Sequence, residues 1–426
     1  MNSESTLIEQ ARILDPVADK DWVGDLLIVD DKIESLETFS TTDFPEPTNV
    51  IDARGLVLAP GLVDLYSHSG EPGNEDRETL ATLAAAAAAA GFTRIAILPD
   101  TKPAIDHPAV IEFLQQQGQK IQVKLKPFPH LYYWGAFTSS IEGKQMTELA
   151  ELAPQIIGFA DSYPVENLGL LRQLLEYAKP LQKIIALAVS NHDLRGDGVI
   201  REGANSIRFG LPGNPAISEA VAIASVLELV AAIDTPVHLM RVSTRRGVEL
   251  ITDAKARGIP VTASTTWMHL LLSTDAIDLY NPNLRLEPPL GNPSDVEALR
   301  QAVKQGVIDA IAVDHSPYTY EEKTLAFAEA PPGAIGLELV LPLLWQNFVA
   351  TGEWTALELW QALSTKPQFC WQQQPLSLAS GQKAELILFD PNLTWTVEQK
   401  TLKSLSSNTP WLGKQITGRV LQIWNS

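Results

Sequence analysis

Along the chain, short apolar runs rich in β-branched residues alternate with longer stretches whose apolar positions recur every three or four residues. Eight of the short runs, bounded by turn residues, predict strands: LVDLY (62–66), RIAILP (94–99), VKLKPF (123–128), IIGF (156–159), IIALAV (184–189), VHLMRV (237–242), VTAST (261–265) and DAIAV (309–313). Helical patterns lie between them. One is RETLATLAAAAAAAG, where Gly91 follows seven consecutive alanines and predicts the helix C-terminus. A strand and helix unit repeated in this way predicts an α/β protein, a (β/α)8 TIM barrel over residues 59–379. The outer segments read differently. Residues 1–58 and 380–426 hold short alternating strands such as DLLIVD, KIESLE, AELILFD and GRVLQIW with no amphipathic helix between them. They predict a small β-sandwich domain made from both termini.

Active sites of (β/α)8 barrels sit at the C-terminal ends of the strands. That rule selects Tyr66 and His68, Asp100, Asp161, Ala188, Arg241, His269, and finally Asp314 and His315. Composition limits what such a site can do. Fifty-one acidic residues against 32 basic ones give a net charge of −19, so nucleic acid and anionic membrane are poor partners. With 45% hydrophobic residues there is enough apolar surface for a large core. The N-terminal stretch lacks an apolar core of signal-peptide length and no 18-residue apolar run is expected later, which predicts a cytoplasmic protein. Cys370 is the single cysteine; this excludes an intrachain disulfide and a cysteine-based zinc cluster, and predicts buried packing. Any metal would therefore be held by histidines and carboxylates. No nucleotide-binding glycine loop or GxSxG elbow is present.

The order of motifs resembles the amidohydrolase superfamily, and within it dihydroorotase. APGLVD, the EPG-ED turn, AAAAGFT, LPDTKP, GFADS, GVIREGANSIRFGLPGNPA, RVSTRRGVELITDAKARGIPVTA, EPPLG, IDAIAVDHSP, GAIGLELVLPLL and NTPWLG carry the resemblance nearly end to end. It implies reversible, zinc-assisted cyclisation of N-carbamoyl-aspartate to dihydroorotate at the barrel mouth, with an aspartate on the last strand as general base. On that pattern Asp314 is the catalytic aspartate, and His68, Asp161 and Asp314 are the candidate ligands of a single remnant metal site.

Several positions depart from the implied pattern. The His-x-His pair after the first strand is Tyr66-Ser67-His68, and the histidines implied after strands five and six are Ala188 and Arg241. Alanine offers no lone pair and arginine stays cationic, so a second zinc site is not expected. The substrate-binding arginine implied after the histidine pair is Gly70, and the implied asparagines are Asp100 and Glu287. Two carboxylates and a glycine would then face a dianionic substrate, which like-charge repulsion disfavours. Arg241 is expected to neutralise Asp314 or Asp161 as a bidentate pair, His238 to make a core hydrogen bond, and His269 and His315 to be structural.

These departures predict a catalytically silent homologue with no cofactor, acting as a structural or regulatory partner of aspartate carbamoyltransferase, a partner implied by the resemblance, and itself a homo-oligomer. The alternatives are an active dihydroorotase holding one Zn2+ beside a degraded second site, and a cyclic amidohydrolase of altered specificity.

Overall fold

The computed structural model describes residues 5–36, 49–375 and 377–425. Eight parallel strands form the barrel in sequence order: β1 Leu62–Ser67, β2 Phe92–Ile97, β3 His130–Gly135, β4 Gly158–Ala160, β5 Ile184–Ala188, β6 Val237–Met240, β7 Val261–Thr266 and β8 Ala310–Ala312. Strand pairing runs from β1 through to β8. The ring is closed by Asp314 N donating to Tyr66 O (3.2 Å) and His68 N donating to His315 O (2.8 Å). The closing seam therefore passes through the candidate site.

Period-two alternation divides each strand between two cores. Val63, Leu65, Ala96, Ala186 and Ala310 point into the barrel, where the small alanines leave room for the buried rings of Tyr66 and Trp134. Leu62, Ile95, Ile97, Ile185 and Leu239 point outward into the core under the helices. The helix Leu80–Ala89 starts at Thr79, whose hydroxyl accepts from the Thr82 amide, and its buried Ala84, Ala86 and Ala87 pack closely against that layer. Gly91 leaves it at φ +88°, where an added Cβ would stand 2.8 Å from Ile387.

One predicted strand is misplaced. VKLKPF is the turn that follows the helix Pro108–Gln122, with Val123 as its C-cap, 79% exposed. The third strand is HLYYWG instead, whose Tyr133 and Trp134 are buried. Lysines at 124 and 126 with Pro127 could not fill a strand buried on both faces. The apolar helix Ala216–Ile233, with mean hydropathy 2.0, also departs from the expectation that no such run exists. It carries Glu219 and Glu228, and its Ile223, Val226, Leu227 and Val230 pack in the barrel core.

The termini join as expected, their strands hydrogen-bonded in one seven-stranded sheet. Strand Val57–Pro60 pairs with Leu386–Thr396 and with Ser5–Asp15, so the last strands of the chain are stitched to the first. Alternation again explains the arrangement. Leu58, Leu386 and Leu388 face a core proper to this sheet, while Val57, Ala59, Ile387 and Phe389 join the core of the barrel helices.

Candidate functional site

Four charged side chains meet at the C-terminal mouth of the barrel. Arg241, just past β6, donates from Nε to Asp314 Oδ2 (2.8 Å) and from Nη2 to Asp314 Oδ1 (2.6 Å), a bidentate pair between the ends of β6 and β8. Its Nη1 donates to Ser162 O (3.2 Å). His68 lies alongside, with Nδ1 2.6 Å from Asp100 Oδ2 and Nε2 3.5 Å from Asp314 Oδ1. Nη2 of Arg241 is 3.2 Å from that same Nε2, the two nitrogens converging on one aspartate oxygen. The row Asp100, His68, Asp314, Arg241 alternates in charge.

The electrostatics follow from that row. Burial alone would discharge His68, but Asp100 and Asp314 outweigh it and raise the imidazole to about 9. Burial would likewise raise Asp314, yet the Arg241 guanidinium and His68 hold it well below the usual carboxylate range. Asp100 is held low by His68 in the same way, against its desolvation. At neutral pH the row carries two positive and two negative charges.

Tyr66 supports the pair from below. Its hydroxyl accepts from the Arg241 amide (3.1 Å) and shares a hydrogen bond with Ser264 Oγ (2.8 Å), and its ring centre lies 5.4 Å from the Arg241 guanidinium carbon. Arg241 and Asp314 both have left-handed backbone, φ +56° and +54°. That conformation costs a residue with a Cβ about 1 kcal/mol. Hydrogen bonds donated by the Arg241 amide to the Tyr66 hydroxyl and by the Asp314 amide to the Tyr66 carbonyl hold it in place. His238 completes the buried chain, 2.8 Å from Ser264 and 2.9 Å from Thr262, and burial lowers it to about 3, so it is neutral.

A cavity of about 500 Å3 opens above these groups. Of the candidates, His68, Asp100, Ala188, Arg241, His269, Glu287 and Asp314 line it. His269 is a neutral wall residue: burial lowers it to about 4, Nε2 donates to Pro288 O (3.1 Å), and Nδ1 lies 2.7 Å from Thr266 Oγ1.

The others do not line it. Tyr66 lies beneath the floor. Gly70 sits in a turn where a Cβ would come within 2.3 Å of the carbonyl oxygens of Asn74 and Glu78, so no arginine fits there without moving backbone. His315 turns to the opposite side of the strand from Asp314, with Nε2 3.4 Å from Glu78 Oε2 and Nδ1 accepting from the Gly336 amide (3.2 Å).

Asp161 also faces away. It accepts from the Thr138 hydroxyl and from the amides of Phe137 (3.1 Å) and Thr138 (3.3 Å), and burial raises it to about 7. The expected ligand trio of His68, Asp161 and Asp314 is thus not assembled, because Asp161 is spent closing the turn after β3. Both Asp314 oxygens are engaged by a cation, and His68 is engaged at both nitrogens. Among the described residues no group of three His, Cys, Asp or Glu side chains could hold a metal ion. The donor set does not fit the zinc that the resemblance implies.

The mouth also holds two cations that the motifs did not reveal. Arg195 Nη1 and Arg285 Nη1 stand 3.5 and 3.6 Å from Glu287 Oε2. Asp100 and Glu287 do line the mouth, but Asp100 is paired to His68 and Glu287 stands between two guanidinium groups, so neither carboxylate faces the cavity as an uncompensated charge. Arg195 comes from the segment after β5 and Arg285 from the one after β7, and no local pattern marks either as a partner of Glu287.

Comparison with known proteins fixes the ancestry. A family model described as dihydro-orotase-like matches residues 55–247. A probable dihydroorotase-like protein of Synechocystis sp. is 45% identical over 98% of both chains, and a dihydroorotase of Pelobacter propionicus is 36% identical over 97% of this chain and 96% of that one. The chain belongs to the dihydroorotase-like family. Among solved structures, an L-hydantoinase (dihydropyrimidinase) from Arthrobacter aurescens shares the fold at TM-score 0.83 with 21% identity, covering 99% of this chain and 96% of that one. A dihydropyrimidinase from Brevibacillus agri does so at TM-score 0.81, also 21% identical, covering 99% and 94%. The barrel and terminal sheet of this dihydroorotase-like chain therefore share their fold with these two solved structures.

Proposed function

We propose that this protein is a non-catalytic member of the dihydroorotase-like family, in which an internal arginine and aspartate pair stands where the family resemblance implies a zinc centre. The observation that carries the reading is the bidentate bond from Arg241 to both oxygens of Asp314. A general base must have a free lone pair to take a proton, and a ligand must offer one to a metal. With a buried guanidinium on both oxygens and its acidity held high, Asp314 loses the basicity that either task needs. Tyr66 strengthens the reading, since a phenol raised well above its ordinary value by burial stays protonated and props the arginine.

The role left to such a chain is structural or regulatory. We place it in the cytoplasm as a homo-oligomeric partner of aspartate carbamoyltransferase, a partnership suggested by the family resemblance. The test has two arms. Untagged protein analysed for metal should contain far less than one zinc per chain and should not hydrolyse dihydroorotate, with or without added zinc. Mixed with the carbamoyltransferase of the same cell, it should co-elute in size-exclusion chromatography. Stoichiometric zinc with turnover overturns the first arm; separate elution at all concentrations overturns the second.

A further inference from the structure

A second cavity lies at the opposite end of the barrel from the mouth. It measures about 510 Å3 and opens where Pro129 leads into β3, Ile157 into β4 and Lys183 into β5, beside the helix Pro108–Gln122. That volume is within the range of about 300–1,000 Å3 usual for small-molecule sites. None of the residues that line it lines the mouth.

Two observations point to an occupant. Tyr133 is only 4% exposed, yet its hydroxyl makes no hydrogen bond to any described residue and stays open to this cavity. A tyrosine buried this deeply normally places its O–H on a protein partner. The second observation is Gly118, inside the helix Pro108–Gln122 and also lining the cavity. A Cβ there would meet nothing nearer than Leu131 Cδ1 at 3.7 Å and the Tyr133 hydroxyl at 3.9 Å. Glycine within a helix costs about 1 kcal/mol relative to alanine, and neither the backbone nor the packing demands it here. What the missing side chain leaves is open space beside the Tyr133 hydroxyl.

The wall around that hydroxyl is polar without being acidic. Gln115, Gln119 and Gln122 share one helix face with Gly118, and Gln155 and Gln373 bring the glutamines among the described lining residues to five. No aspartate or glutamate is among them, in a chain of net charge −19. Of the two basic groups, His130 is held below its ordinary value chiefly by desolvation and is neutral at pH 7, and Lys183 already donates to Ile156 O (2.7 Å). An amide side chain donates and accepts, and so does a phenol. Such a wall matches hydroxyl groups, which also do both, better than a carboxylate or phosphate that chiefly accepts or an ammonium that only donates. Phe128, Leu131 and Ile156 add apolar surface for the C–H face of a ring.

We propose that this cavity binds an uncharged polyhydroxy ligand, a sugar of one or two rings, with one hydroxyl paired to Tyr133 and others to the glutamine amides. No bond is made or broken, and the inference is independent of whether the barrel mouth is active.

The test is calorimetric titration of the full chain with glucose, galactose, maltose and sucrose, and with glucose 6-phosphate and glucosamine as charged counterparts. At least one neutral sugar is expected to bind with Kd of about 1 mM or tighter, and both charged compounds at least about tenfold more weakly. Tyr133→Phe should weaken the sugar about tenfold while leaving the thermal midpoint of the unliganded protein unchanged. Gly118→Leu fills the space and strengthens the helix, so it should abolish binding in a protein at least as stable. Wild-type affinity in either variant overturns the proposal, as does tighter binding of glucose 6-phosphate or glucosamine. So does the absence of binding by all four neutral sugars at about 10 mM, which would leave Tyr133 to water alone.

Discussion

Asp314 and His315 are neighbours in sequence but belong to two different charge clusters. Asp314 faces the mouth, where Tyr66, Arg241 and Asp100 have rebuilt its surroundings. His315 faces the wall, where Glu78 accepts from the hydroxyls of Thr82 and Ser404 and from the Leu405 amide (3.0 Å), tying the first barrel loop to the C-terminal segment. Asn408 extends this lock, donating to Ser316 O (2.9 Å) and accepting from the Tyr318 amide (3.1 Å). His315 and Asn408, from the DHSP and NTPWLG segments that carry the family resemblance, belong to the wall, whereas Tyr66, Asp100 and Arg241, which depart from the implied pattern, stand at the mouth.

This contrast can be broken in steps. Arg241→Ala leaves the buried charge of Asp314 with only the more distant His68 as partner and should cost about 4 kcal/mol in chemical denaturation. An unchanged midpoint would mean that the pair is not what stabilises the mouth. A pH effect should come next in size. His68 is raised from 6.5 to about 9, so its contribution is fully present below pH 6.5 and lost as pH rises through about 9. The shift corresponds to about 3 kcal/mol, and His68→Gln should flatten that alkaline limb of the stability profile.

On the wall side, Glu78→Gln removes the charge but keeps the shape, and should cost about 2.5 kcal/mol. Limited proteolysis of the C-terminal segment would report the loosening. Smallest is Gly70→Ala, for which a loss of about 1.5 kcal/mol is expected from the clash with the carbonyls of Asn74 and Glu78. A fully stable Gly70→Arg variant would contradict the claim that this turn has closed over the old arginine position.

The sequence reveals some of this and hides the rest for physical reasons. Seven strands are legible because β-branched runs buried on both faces leave a strong pattern; the third is missed because its strand is aromatic and the lysine-containing run before it alternates more clearly. The Arg241 and Asp314 pair is legible because both positions follow strands, and the barrel rule brings strand ends together. Asp161 follows a strand too, yet its carboxylate is taken by the turn after β3, and no pattern in the chain announces that. Arg195 and Glu78 lie 92 and 237 residues from their partners Glu287 and His315, and only the fold brings them near.

Arg241 and Asp314 should behave as one buried unit in place of a metal. A double-mutant cycle with Arg241→Met and Asp314→Asn, read by chemical denaturation, measures that coupling directly. About 3 kcal/mol of coupling is predicted, with the double variant recovering much of what either single change loses. Additive losses, with coupling near zero, would contradict the account.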